Sequence, residues 1–258
     1  MKRLGLDPNL PSPIDFEKWI HTGDLPVDQV LESFGNVAGH QLAEDILSRK
    51  KENEFSQRLL NQVENVPDWV DFDAIERAQR LYWKHMPAIQ ILLLHGALAG
   101  GYSAPRLNEV LVRTGYLSDP AKSYRRLMET ATMTNEIMQP NGLRKGAPGW
   151  KSIIHVRFLH AHVRYRQQQV DKLKGVDRGY VPINQADMLA TIMAFQAATI
   201  AGLPIFGVCW NAQRREDYTH LWRYVAYLIG VQDETNVLAQ GFPDSFAAFR
   251  EYVIKCMF

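Results

Sequence analysis

The sequence is short of cysteine, of net charge and of strand-like patterning. Two cysteines in 258 residues, Cys209 and Cys256, are too few for a disulfide framework or a cysteine-rich metal site. Lys and Arg total 29 against 28 Asp and Glu, a net charge of +1, so no strongly charged partner such as nucleic acid is advertised. Runs of alternating β-branched residues between hairpin turns are almost absent, which removes the sheet classes. No glycine loop has the strand and Lys-Ser/Thr context needed to cradle phosphate, and no nucleophile elbow occurs. After Met1-Lys2-Arg3 no apolar segment follows, so no secretory signal is read and a cytoplasmic location is expected. The most apolar stretches, Ile89 to Ala99 and Met188 to Val208, are too short or too interrupted for a membrane span and read as buried helices.

What is present is helical. Hydrophobic residues make up 46% and charged residues 22%, enough apolar content for one sizeable core. Val27 to Phe34 and Gly39 to Val63 carry apolar residues at helical spacing. Asp71 or Asp73 offers an N-cap for a run that continues through Leu81, Trp83 and Ile89 to Ala99, closed by Gly100-Gly101. Pro105 opens a short helix ended by Gly115, and Ser118-Asp119-Pro120 starts another that reaches about Met138. Lys151 to about Leu173, Asn184 to Leu203, Asn211 to Gly230 and Asp244 to Met257 complete the set, separated by Gly or Pro. With no linker and no internal repeat, the expectation is an all-α fold: an irregular N-terminal arm, 1–25, followed by a single globular multi-helix domain, 26–258.

The segment richest in chemistry is Ile153 to Arg166. On a helix, Arg157, His160 and Arg164 share one stripe at i, i+3 and i+7, while His155 and His162 project to the opposite side. The three histidines therefore cannot converge on zinc from this helix alone. Two guanidiniums disfavour protonation of the imidazole between them and leave it a free lone pair, the state a metal needs. If buried, both arginines require anionic partners, and the carboxylates of a bound cofactor would serve. Haem, with one iron and two propionates, meets both demands. The same pattern is also that of a basic surface helix with one half-buried histidine. Arg126 and Thr130, spaced i and i+4, place a long donor and a hydroxyl on one face, suited either to an oxygen-binding pocket or to an ordinary exposed helix.

The stripe Val156-Arg157-Phe158-Leu159-His160-Ala161-His162-Val163-Arg164 resembles the V-R-x-x-H-A-x-V-R signature of the oxygenase family that includes latex clearing protein and a fungal endoplasmic-reticulum-bound farnesyl-cleaving oxygenase. Val66 to Asp71, Gly101-Tyr102, Leu111 to Leu117, Asn184 to Thr191, and Tyr218 through Trp222-Arg223 to Val231 also look like family blocks in family order. The resemblance implies that His160 is the proximal ligand of haem b, with Arg157 and Arg164 flanking the cofactor. It implies that Arg126 and Thr130 stand on the distal side, and that Glu109 corresponds to a glutamate proposed as the base. Two positions depart from the pattern: Glu129 stands where a distal lysine can occur, and Tyr165 where a histidine occurs. The expected activity is a haem-b-dependent oxygenase that uses dioxygen to oxidise or cleave a C=C bond of a hydrophobic, isoprenoid-like small molecule. Its rivals are a haem monooxygenase or peroxygenase acting on an aromatic or lipid-like molecule, and a non-catalytic haem-binding module.

Overall fold

A computed structural model describes residues 16–35, 39–101, 104–115 and 119–241. Among the described residues there are helices and no strands, as the patterning requires. Within the stretch read as an arm, Phe16–Ile20 forms helix α1 and Leu25 already opens α2, Leu25–Phe34.

The next segment departs from its periodicity. Gly39 to Val63 is two helices, α3 (Gly39–Leu47) and α4 (Glu54–Glu64), because Arg49 turns the chain at a φ of 58°. Asn53 then restarts it with a reciprocal cap: its side chain accepts from the Ser56 backbone N–H at 2.9 Å, and the Asn53 N–H donates to Ser56 Oγ at 2.8 Å. Asp71 caps α5 (Phe72–Lys84) by accepting from the N–H groups of Asp73 and Ala74, and these bonds hold its carboxyl below the usual range. The run beyond is interrupted at His85, after which α6 (Met86–Leu92) passes into a π-helical segment, Leu93–Ala99. Gly100 remains right-handed at φ −61° and does not end the helix there.

Pro105–Arg113 forms α7, stopped by Gly115 at φ 74°, and Asp119 caps α8, Pro120–Met138. Residues 139–147 connect α8 to α9, Pro148–Lys174, and the two pack together as a helical hairpin. Gly175 ends α9 in the left-handed conformation. Asn184 caps α10, Gln185–Gly202, and Asn211 caps α11, Ala212–Leu228. The helix expected over Asp244 to Met257 lies outside the described residues.

One core joins these elements. Tyr82, Phe158, Tyr218, Trp222 and Tyr224 are its largest fully buried rings. Helix α10 is apolar on nearly every side, and with the turn after it the segment Gln185–Phe206 has the length and mean hydropathy, 1.7, of a membrane-crossing helix. Here it lies against α1, α6, the π-helical segment and α11. Of the two apolar stretches, the first is less enclosed: Ile91 and Leu94 face out while Ile89, Leu93 and Ala97 are buried.

Candidate functional site

Helix α9 runs through the middle of the fold against α2, α3, α8 and α11, so its polar residues meet protein on several sides. Arg157 is buried and donates through Nε and Nη2 to the two carboxylate oxygens of Asp24, at 2.7 and 2.9 Å. Its Nη2 also reaches Gln62 Oε1 at 3.1 Å. Arg164 holds Asp28 at 2.8 to 3.0 Å and donates to the Ile183 carbonyl at 2.6 Å. The anionic partners that these arginines demand are thus carboxylates of the chain itself, from the start of α2, and not those of a cofactor. Gly230, at φ 99°, closes over the first pair, and a Cβ there would overlap the Asp24 carboxylate.

His160 differs from both. Its Nδ1 is enclosed and has no hydrogen-bond partner among the described residues. Burial, reinforced by the positive charges of Arg164 and Arg126, lowers its pKa to about 3, so the ring is neutral at any physiological pH. The second cation felt by the imidazole is therefore Arg126 on α8, in place of the expected Arg157, whose charge is matched by Asp24. A neutral, enclosed imidazole with an unmet nitrogen can donate its lone pair to a metal. Among the described residues no three His, Cys, Asp or Glu side chains are grouped to hold an ion. Of the other histidines on α9, His155 has its Nε2 2.9 Å from a Glu44 carboxylate oxygen and lies against the His40 ring at 5.0 Å, on a different side of the helix.

The hairpin brings Arg126 to His160, and Thr130 lies one turn further along the same helix. The Thr130 hydroxyl donates to the Arg126 carbonyl at 3.0 Å, so its hydrogen is committed to its own helix while its oxygen can still accept. Glu129 is exposed and pairs with Arg125 at 2.8 Å.

Glu109 is elsewhere. It accepts hydrogen bonds from Arg178 and from the Tyr180 hydroxyl, and Arg113 stands 3.6 Å away. Arg113 and Arg178 in turn both hold Asp171, near the end of α9. Asp171 is eleven residues beyond His160, roughly 16 Å along the helix axis. The Tyr180 hydrogen bond and the neighbouring arginines hold the Glu109 carboxyl below its usual range. The structure therefore places Glu109 in an ion-pair network with Arg178, Tyr180 and Arg113, which stabilises its charged form.

Asp24, Asp28, Asp171 and Arg178 were not singled out by the sequence. Asp24 and Asp28 are spaced i and i+4, a carboxylate pair to match against the two arginines, but 133 and 136 residues separate them from their partners.

A family profile described as "ER-bound oxygenase mpaB/B'/Rubber oxygenase, catalytic domain" matches residues 83–257. The chain is similar to the rubber oxygenase of Streptomyces sp. (strain K30), with 24% identity over 181 residues, which is 69% of this chain and 43% of that protein. It thus spans less than half the length of that relative. Among solved structures it is similar to latex clearing protein in the closed state, at a TM-score of 0.65 and 21% identity over 91% of this chain and 69% of the other, a likeness of fold.

Proposed function

The chain belongs to the ER-bound oxygenase mpaB/B'/rubber oxygenase family, and from that premise we propose that it is a haem-b-dependent oxygenase acting on a C=C bond of a hydrophobic, isoprenoid-like small molecule. The observation that carries this reading is the enclosed His160 Nδ1 without a partner, on a ring held neutral down to about pH 3. A single imidazole makes a poor site for a bare ion but would suit an iron whose other ligands a macrocycle supplies. The donor chemistry of His160 therefore suits the iron of a haem, which this residue would hold. Bound haem supplies the redox chemistry that activates dioxygen.

The chain's own residues do the rest. His160 would hold the iron through its lone pair, and burial together with Arg164 and Arg126 keeps a proton from occupying it. The Asp24–Arg157 and Asp28–Arg164 pairs fix α9 against the start of α2, so the ring is carried on a helix braced from both sides of its position. Arg126 supplies a guanidinium close to the ring, able to stabilise negative charge that develops there. Apolar side chains left exposed on α6, the π-helical segment and α8, namely Ile91, Leu94 and Met128, offer contact surface to an apolar substrate.

The test is spectroscopic and needs no substrate. Purified protein titrated with haemin gives a Soret band that saturates at one haem per chain, and His160→Ala loses it while remaining folded by circular dichroism. Full haem content in His160→Ala overturns the assignment. With an isoprenoid alkene and labelled dioxygen, a cleaving dioxygenase places both oxygen atoms in carbonyl products.

A further inference from the structure

A groove of about 440 Å³ lies between the end of α7 and the second half of α9, lined by Arg113, Thr114, His162, Val163, Arg166, Gln167, Val170 and Lys174. No carboxylate is among these residues, and four of them are basic. Arg113 is matched by Asp171 at 2.9 Å, but Arg166 and Lys174 form no ion pair among the described residues. Gln167 is 8% exposed, and its amide nitrogen has no hydrogen-bond partner among the described residues. The buried Gln167 N–H calls for an acceptor, and two exposed cations lining the same groove, Arg166 and Lys174, favour one that carries negative charge. Val163 and Val170 add apolar wall to the same groove.

Its position ties it to His160. Val163 and Gln167 stand three and seven residues after His160, on the same stripe of α9, so the groove begins one turn from the imidazole and leads away from it. Arg157 and Arg164 are engaged by Asp24 and Asp28, whereas Arg166 and Lys174, which line the groove, are exposed and open to an outside carboxylate.

We propose that this groove binds the carboxylate of an amphipathic organic acid, with Arg166, Lys174 and the Gln167 amide as its donors. Two sources carry that chemistry: the propionate of a haem seated on His160, which rests on the function proposed above, and a free acid with an apolar tail, which does not.

Dodecanoate and haemin, each with its methyl ester as control, separate the two. Binding is measured by calorimetry for dodecanoate and by Soret titration for haemin, on the wild-type chain, on Arg166→Gln/Lys174→Gln, on Gln167→Leu, and on Lys172→Gln, an exposed charge outside the groove. The double variant is expected to bind the acid about tenfold more weakly, Gln167→Leu to shift in the same direction, and Lys172→Gln to match wild type, with the esters blind to all of them. Loss confined to haemin assigns the groove to propionate; loss confined to dodecanoate assigns it to a free acid. If the wild type takes up no haemin, the haem reading fails and the dodecanoate arm alone decides the groove. Equal affinity of both acids for wild type and double variant, esters bound as tightly as acids, or no binding of either acid overturns the proposal.

Discussion

Arg157 and Arg164 each reach a carboxylate of their own chain, whereas His160, between them on the same helix, has an enclosed nitrogen that no group among the described residues meets. The three residues share one stripe, yet the arginines are complete as folded and the histidine is not. Buried charge left unpaired is too costly to persist, so each guanidinium is matched internally and serves the fold. A neutral imidazole can stay unmet at modest cost, and that tolerance is what lets a fold keep a ligand position in reserve.

Breaking one of each kind sharpens the contrast. Arg157→Leu strands the Asp24 carboxylate, whose side chain is 3% exposed, and is expected to lower the unfolding free energy by about 3–5 kcal/mol. His160→Leu removes an unmet polar atom and is expected to leave stability within about 1 kcal/mol of wild type, or to raise it. Urea unfolding of the haem-free chain measures both. A small loss for Arg157→Leu together with a large one for His160→Leu would reverse the assignment of structure and function along α9.

Much of this frame is legible in the sequence because it is local. Asp119-Pro120, Asn184, Asn211 and Gly175 mark helix ends by side chains and backbone freedom that act within a turn, and each does so in the structure. The break inside Gly39 to Val63 escaped because apolar spacing runs across it, and only the positive φ of Arg49 shows that the chain turns there. The neutrality of His160 is legible as well, since one of the charges that enforces it, Arg164, lies four residues away. Its other cation, Arg126, and the carboxylates that meet the arginines come from other helices, which no spacing along α9 encodes. The surroundings of Glu109 are hidden for the same reason: its partners Arg178 and Tyr180 lie 69 and 71 residues further on.

The network around Asp171 gives a smaller, pH-dependent version of the comparison. Hydrogen bonding from Arg178, with Arg113 adding to it, lowers the Asp171 pKa to about 2 from an ordinary value near 3.8. A carboxyl depressed in the folded state binds fewer protons than its unfolded counterpart, so its contribution is complete above about pH 5 and is lost as the pH falls through about 4 toward 2. Glu109, also held below its usual range, acts in the same direction. Urea midpoints measured down this window should fall less steeply for Asp171→Asn than for wild type, and parallel curves would mean that the pairing contributes nothing in solution.

The smallest effect is expected on α8, at the pair that most resembles an interaction and does least. Arg125 and Glu129 meet at 2.8 Å one turn apart, but their side chains are 80% and 57% exposed. Water screens the attraction, two flexible side chains lose rotamer freedom to keep it, and the cation precedes the anion, the weaker order on a helix. Glu129→Ala should therefore change the unfolding free energy by less than about 0.5 kcal/mol, a difference that vanishes in molar salt. A loss above about 1 kcal/mol would mean that Glu129 has a partner beyond Arg125, and that the face of α8 next to Arg126 is structural in the same sense as Arg157 and Arg164.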